Sequence, residues 1–278
     1  MLPVILFEPL LRAALIEDLG PMGDATCRAV IPDGLTCDAR LNVRQAGIVS
    51  GLRVAEMVFR LVDPGLKITL ESKDGDRAEA GQTLMHISGP AASILMGERV
   101  ALNFAGRLSG IATLTAAFVS ETRGTKARIT CTRKTTPGLR AVEKEAVRHG
   151  GGVNHRFGLW DAILIKDNHI AARGGIRPAL QAAKAFRSHM MRIEIEVDRL
   201  DQLTEALDEG GADVVMLDNM STPDLARAVA IANGRVTLEA SGNMALGRIA
   251  EVASTGVDYI SVGALTHSAP VLDLGLDF

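Results

Sequence analysis

Ala162-Ile163-Leu164-Ile165-Lys166-Asp167-Asn168-His169 sets four apolar residues directly before four polar ones. A short apolar run bounded in this way reads as a strand buried on both faces. The pattern recurs on either side of it. Apolar, β-rich runs end in Thr132-Arg133-Lys134, Glu196, Asp218-Asn219, Glu239-Ala240-Ser241-Gly242 and Gly263-Ala264. Each run except the last leads into a stretch with helical pattern, and the spacing is that of βα units. Six or seven such units predict a parallel α/β barrel or an open doubly wound sheet. In both architectures chemistry collects at the C-terminal ends of the strands. All six polar clusters fall there, and they hold Arg, Lys, Asp, Glu and Asn rather than small turn formers. That set suits an enzyme handling an anion and a metal.

The first ~108 residues follow another pattern, that of a small α+β domain. Residues Cys37 to Val43 alternate apolar and polar, and Ile68 to Glu71 and Thr83 to Ile87 read as further strands. Asp74-Gly75 and Ala80-Gly81 are turn signals between them. Helices are expected over Phe7 to Asp18 and Val54 to Val62. A third runs from Ala91 to about Leu108, is punctuated by Ser109-Gly110, and is followed by another reaching about Arg123. The helix after the first barrel strand has Thr136 as its expected N-cap, Pro137 at its first position and Arg148-His149-Gly150 at its close.

Composition narrows the function classes. The chain has 278 residues, 47% hydrophobic and only 3% aromatic, with a net charge of −3. That balance argues against bulk nucleic-acid binding. No run approaches 18 apolar residues, so no membrane span is expected, and the start lacks the basic region of a secretory signal. Three cysteines, at 27, 37 and 131, are an odd count without a CxxC pair and read as reduced thiols of a cytoplasmic protein.

Charge is unevenly spread. From Arg123 to Arg156 there are nine Lys or Arg against two Glu, a local surplus of seven in a slightly acidic protein. Such a patch fits a small, multiply charged anion. Arg133 and Lys134, with Asn154, His155 and Arg156 in a Gly-rich loop, form a carboxylate or phosphate grip. Lys166 at a strand end suits either a Schiff base or an anion contact. Glu194 and Glu196 alternate along one strand and share a face, with Asp218 on the next. Such carboxylates hold Mg²⁺ through water, bind ribose hydroxyls or steady an oxocarbenium-like transition state; the alternative is an internal salt bridge to Lys166 or Arg133. Ser241-Gly242-Asn243 and Val262-Gly263-Ala264 suit a phosphate at late strand ends. His155 and His169 lack zinc-ligand spacing. His86, His149 and His189 read as surface or structural residues. Arg99, Arg107 and Arg140 read from spacing as solvated helix residues. Lys67 to Gly89 resembles half of a biotinyl or lipoyl carrier hairpin, but no second half follows.

Taken together, these motifs resemble the quinolinate phosphoribosyltransferase family. The likeness spans essentially the whole chain: Glu98-Arg99, Ala101 to Phe104, Arg107 to Thr113, Thr132 to Arg140, Gly150 to Gly158, Ile165 to Ile170, Glu194 to Asp198, Leu217 to Asn219, Leu238 to Asn243 and Ser261 to Ser268. The resemblance implies a type II phosphoribosyltransferase fold: an α/β sandwich domain (1–108, joined by the tail 269–278) and an incomplete parallel α/β barrel (109–268). It implies a homodimer with shared active sites, where Arg99 enters the partner's site; assembly into a hexamer is left open. It further implies that Arg99, Arg133, His155 and Arg156 bind the two quinolinate carboxylates. Lys134 and Lys166 contact carboxylate or the phosphates of phosphoribosyl pyrophosphate (PRPP). Glu196 and Asp218 face the ribose and Mg²⁺. Ser241, Gly242, Asn243, Val262, Gly263 and Ala264 hold the 5-phosphate, Thr132 lines the site, and His169 faces the pyrophosphate. Lys134, Lys166, Glu196 and Asp218 are the implied catalytic set. The implied reaction joins quinolinate to PRPP and releases CO₂ and pyrophosphate, with Mg²⁺ and no organic cofactor.

One position departs from the family pattern: Cys131 stands where many relatives carry an acidic residue. Three rivals differ in chemistry. The molybdenum-transport-associated paralogue is disfavoured by the intact Thr132 to Gly138 and Lys166 to His169 motifs. Nicotinate phosphoribosyltransferase needs ATP. A non-catalytic anion binder takes up either substrate without turnover.

Overall fold

The structure is a computed structural model that describes residues 3–278. The chain divides into two compact units. One holds the residues up to Ala116 with Thr135–Gly151 and Leu265–Phe278; the other holds Ala117–Lys134 and Gly152–Ala264. Residues 109–116, 135–151 and 265–268, read from sequence with the barrel, thus group with the first unit.

The first unit opens with helices α1 (Glu8–Leu19) and α2 (Ala25–Val30). Strands β1 (Thr36–Val43), β2 (Gly47–Ile48), β3 (Lys67–Leu70), β4 (Arg77–Ala78) and β5 (Thr83–Pro90) follow, with α3 (Leu52–Val62) between β2 and β3. Along β1, Ala39, Leu41 and Val43 are buried and alternate with Asp38, Arg40 and Asn42. That period of two fixes the register, because a one-residue slip would expose the apolar set. α3 turns Leu52, Val54, Ala55, Val58 and Phe59 inward. Sheet order is β12-β1-β5-β3, where β12 (Leu274–Asp277) is the returning C-terminal strand, antiparallel to β1 with Leu41 opposite Leu276. Arg44 clamps that strand through Asp277 at 2.6 Å.

Helix α4 (Ala91–Ser120) is continuous for 30 residues, whereas the sequence suggested a break at Ser109-Gly110. The small residues serve close approach instead. The Ser109 hydroxyl accepts the Ser50 N–H and donates to the Ser50 carbonyl, each at 2.9 Å. A Cβ at Gly110 would lie 1.9 Å from the Pro270 carbonyl oxygen. By length and composition α4 could cross a bilayer, but 56% of its most apolar window is buried inside the protein. It also carries Arg99 and Arg107, as a core helix can.

The second unit carries six parallel strands: β6 (Arg128–Thr130), β7 (Ile163–Ile165), β8 (Ile193–Val197), β9 (Val214–Asp218), β10 (Thr237–Ser241) and β11 (Tyr259–Ser261). After β6 the chain forms α5 (Arg140–His149), which belongs to the first unit. α5 starts later than expected. Thr136–Leu139 is a turn, and Leu139 rather than Thr136 occupies the cap. Helices α6 (Asp167–Arg173), α7 (Ile176–Phe186), α8 (Leu200–Glu209), α9 (Thr222–Ala232) and α10 (Ile249–Ser254) follow the later strands, and a one-turn α11 (Ala264–His267) follows β11.

Strand order is β6-β11-β10-β9-β8-β7, and Val153 extends the far edge by a parallel bridge to Thr130. In a flat sheet, Val153 and β8 would be five strand spacings apart, roughly 24 Å. Yet His155, two residues from Val153, touches Glu194 of β8 at 2.9 Å. The sheet must curl to allow this. It forms an incomplete barrel, open between Val153 and β7.

Candidate active site

Register decides which side chains enter the curled sheet. Ile165 pairs with Ile195, so Lys166 and Glu196 share the opposite face. Glu196 and Glu239 both align with Met216 of β9, and Asp218 aligns with Ser241. Residues level with one another in adjacent strands point to the same side. Lys166, Glu194, Glu196, Asp218, Glu239 and Ser241 therefore line one face. Ile193, Ile195, Val197, Leu238 and Ala240 occupy the other and are buried. An acidic inner face is costly unless it is paired, and its pairing describes the site.

Lys166 Nζ meets Glu196 Oε2 at 2.5 Å. The expected functional pair and the alternative salt bridge are thus the same contact. His169 Nδ1 accepts the Lys166 backbone N–H at 3.0 Å and holds the start of α6. At the ends of β9 and β10 a chain of amides fixes the next carboxylate. Asn219 Nδ2 donates to Asp218 at 2.7 Å, and Asn243 Nδ2 donates to Asn219 Oδ1 at 3.1 Å. Asn219 and Asn243 both adopt positive φ. Gly242 (φ +90) has no room for a Cβ, which would fall 2.2 Å from Asn219 Oδ1.

The basic rim comes from the segments after β6 and Val153. Arg133 and Arg156 are half-buried, and the Nε of each is buried without a hydrogen-bond partner among the described residues. Arg156 Nη1 donates to the Ala162 carbonyl at 3.0 Å. Burial, then the like charge of Arg133, lowers the Arg156 pKa, while Glu194 and Asp161 oppose that shift. Asp161 shapes this loop by accepting the Phe157 and Gly158 N–H groups at 2.7 and 2.9 Å. Burial pushes its carboxyl up, but those two backbone bonds, its own N–H and the charge of Arg156 together hold it below the usual range. Two close guanidiniums with undonated N–H groups are ready for an anion with two acceptor groups. Lys134 is exposed beside them, and its N–H donates to Thr132 Oγ1 at 3.0 Å. Cys131 is buried and its thiol donates to Asn154 Oδ1 at 3.3 Å. All three cysteines are free.

Val262 is buried, and Gly263 and Ala264 are half-buried at the end of β11, level with the Cys131 end of β6. Arg99 lies on α4 in the first unit and is exposed. Arg107 is not the solvated residue its spacing suggested: it binds Glu143, Thr136 and the Thr266 carbonyl. Arg140 donates to Thr135 at 3.0 Å. His149 Nδ1 sits 2.8 Å from the Ser50 hydroxyl, a structural role.

Sequence reasoning missed the site's floor. His155 Nε2 lies 2.9 Å from Glu194 and 3.6 Å from Glu239. Burial and the charge of Glu194 push the Glu239 carboxyl up to about 8, against His155 and Ser261. The three ligand atoms lie within 4.8 Å of one another, a spacing at which side chains can share a cation. Glu239 was visible only as part of a strand-end cluster. A separate cavity of about 810 Å³ in the first unit is lined by Arg53, Glu56, Asp74, Arg148 and His149 among others. None of the candidate residues lines it, so side-chain chemistry and not volume locates the site.

An incomplete α/β barrel with paired guanidiniums on its rim and carboxylates at its C-terminal strand ends defines a class: a barrel enzyme for a small polyanion. Comparison with known proteins narrows it. The family model for the quinolinate phosphoribosyl transferase C-terminal domain matches residues 111–277, and that for the N-terminal domain matches residues 24–109. A nicotinate-nucleotide pyrophosphorylase [carboxylating] of Mycobacterium leprae is 44% identical, covering 96% of this chain and 95% of that protein. Quinolinate phosphoribosyltransferase [decarboxylating] 1 of Nicotiana glauca is 42% identical, covering 99% and 83%. The structure of the nicotinate-nucleotide pyrophosphorylase from Francisella tularensis superposes with a TM-score of 0.95 at 41% identity, covering 99% and 97%. The chain belongs to the quinolinate phosphoribosyltransferase family.

Proposed function

We propose that this protein transfers phosphoribosyl from PRPP to quinolinate with decarboxylation, giving nicotinate mononucleotide, pyrophosphate and CO₂ in NAD biosynthesis. The observation that carries the reading is the Arg133–Arg156 pair, whose buried Nε groups have no hydrogen-bond partner among the described residues. A pyridine dicarboxylate supplies the two anionic groups such a pair lacks. Lys134 adds a mobile charge, and Arg99, exposed as a residue working in trans must be, serves the partner's site in a homodimer.

The residues divide the work by charge. Arg133 and Arg156 orient the ring so that its nitrogen faces the ribose. The nitrogen lone pair forms the bond to C1 as the C1–O bond breaks, and pyrophosphate leaves with that electron pair. Glu196 and Asp218 steady the positive charge that develops on the ribosyl carbon. Lys166, already bonded to Glu196, keeps that carboxylate in place and faces the departing anion. The N-alkylated ring then accepts the electrons of the C2–carboxylate bond as CO₂ leaves, and a proton from solvent completes C2. Ser241, Gly242, Asn243 and Gly263-Ala264 serve the 5-phosphate. Glu196 and Asp218 offer hard oxygen donors of the kind Mg²⁺ takes beside substrate phosphates, and Mg²⁺ would neutralise the charge on pyrophosphate. Three free thiols support a cytoplasmic setting, although some plant relatives carry chloroplastic or mitochondrial names.

Equilibrium binding tests the grip. Quinolinate should bind at least about tenfold more tightly than nicotinate, which has one carboxylate, because one guanidinium is then left unpaired. Equal affinities would contradict the assignment of both arginines to one substrate.

A further inference from the structure

We propose that Asn219 is a positioning residue for this reaction: its side-chain amide aims the Asp218 carboxylate at the ribose and couples it to the 5-phosphate loop at the end of β10. The proposal rests on the functional reading above and deepens it.

Asn219 joins the ends of two strands through its main chain and its side chain. Its backbone N–H donates to the Ser241 carbonyl at 3.0 Å, which carries the β9–β10 ladder one residue past β9. Its Nδ2 donates to Asp218 Oδ2 at 2.7 Å, and its Oδ1 accepts Asn243 Nδ2 at 3.1 Å. A carboxylate accepts and does not donate, so the Asn219 NH₂ group must face Asp218 and its carbonyl must face Asn243. The relay therefore has one direction, with each amide donating toward Asp218. Among the described residues no other hydrogen bond reaches that carboxylate, which leaves its Oδ1 for a ligand.

The backbone holds this relay in place. Asn219 (φ +53) and Asn243 (φ +48) both lie in the left-handed region, which Asn tolerates better than most residues. Gly would meet either turn without strain; what Asn219 adds is the donor. Met220 and Met244, the next residue of each turn, are buried, and Arg248 Nη2 donates to the Met220 carbonyl at 2.8 Å. Both turns are thus anchored from below. Gly242 lies so close that a Cβ there would fall 2.2 Å from Asn219 Oδ1, so the amide cannot swing towards β10. Asp218 is half-buried and Asn219 is exposed, so water would satisfy the carboxylate if the amide were absent. The bond therefore gives direction to Asp218 rather than rescuing a buried charge.

A double-mutant cycle on the full-length protein separates action through Asp218 from direct action. PRPP affinity in the presence of Mg²⁺ is measured by calorimetry for the wild type, Asn219→Gly, Asp218→Ala and the double variant, with folding checked by circular dichroism. Asn219→Gly keeps the positive φ and removes only the amide. It should weaken PRPP binding about tenfold in the wild-type background and less than about twofold in the Asp218→Ala background. A full tenfold loss in both backgrounds would overturn the proposal, because Asn219 would then act on the substrate itself. Asn219→Asp keeps the size and the tolerance of positive φ but sets a second carboxylate where the donor stood, so it should lose at least as much as Asn219→Gly. Near-wild-type affinity in Asn219→Asp would overturn the proposal, since shape rather than donation would be the role. If Asn219→Gly does not fold, Asn219→Asp carries the test through turnover: its PRPP KM should rise about tenfold while the quinolinate KM stays within about twofold. A parallel rise in both would reduce Asn219 to general support and overturn its specific role. A wild type that binds no PRPP would instead take down the functional reading on which the proposal rests.

Discussion

Arg107→Ala should be the most damaging single substitution outside the site. The Glu143 side chain is wholly buried, and its carboxylate accepts Arg107 Nε at 2.9 Å and Nη2 at 2.5 Å, together with the Thr136 N–H at 3.1 Å. Arg107 also donates to the Thr266 carbonyl at 2.9 Å. It thereby ties α4 to α5 and to the chain after β11. Removing the guanidinium strands a buried charge, which costs about 3–5 kcal/mol. For a chain of this size each kcal/mol corresponds to about 2–4 °C in Tm, so a fall of roughly 10 °C is expected. Thermal unfolding at neutral pH reads this directly. The pair Arg107→Met with Glu143→Leu removes both charges and should recover much of the loss, because the penalty lies in the orphaned carboxylate rather than in the missing bond. Arg107→Ala melting within about 2 °C of the wild type would refute the reasoning. So would a double variant whose loss is the sum of the two singles.

Three other outcomes follow from the geometry. Glu239, pushed up to about 8 by burial and Glu194, stays protonated when folded at pH values where the unfolded chain ionises it. Its stabilising contribution is complete below the ordinary carboxylate range and is lost as pH rises towards 8. Glu239→Gln should therefore flatten the fall in stability between about pH 5 and 8, by on the order of 3 kcal/mol; an unchanged pH profile would contradict the raised carboxyl. Gly242→Ala places a Cβ against Asn219 at a positive φ, so the Asp218 end of β9 must shift. PRPP KM should rise about tenfold with quinolinate affinity little changed. Equal mixing of Arg99→Ala and Lys166→Ala subunits should restore about one quarter of wild-type activity, since half the dimers carry one intact site; no rescue above either parent would argue against shared sites.

The barrel was legible because its strands announce themselves twice, once as apolar runs and again in the polar residues that end them. Lys166, Glu196 and Asp218 were found this way, and the period of two in Ile193–Val197 placed Glu194 and Glu196 on one face. Sequence periodicity carries no information about closure, however. The meeting of His155 with Glu194 and Glu239 depends on the curl of the whole sheet. Ser109-Gly110 misled for a local reason: small residues signal a break, but they also admit a close neighbour, and here Ser50 and Pro270 fill the space. Arg107 misled because helical spacing shows which face a residue takes but not what covers that face. The role proposed for Arg99 came from the family resemblance alone, since helical spacing within one chain carries no sign of a second subunit.

The measurement that bears most directly on the account is product formation from quinolinate, PRPP and Mg²⁺, with nicotinate mononucleotide, CO₂ and pyrophosphate quantified together. The account predicts the three in equal amounts without ATP, and loss of all three in Arg133→Ala and Glu196→Gln. Binding of both substrates with no product, or product from nicotinate that requires ATP, would contradict it.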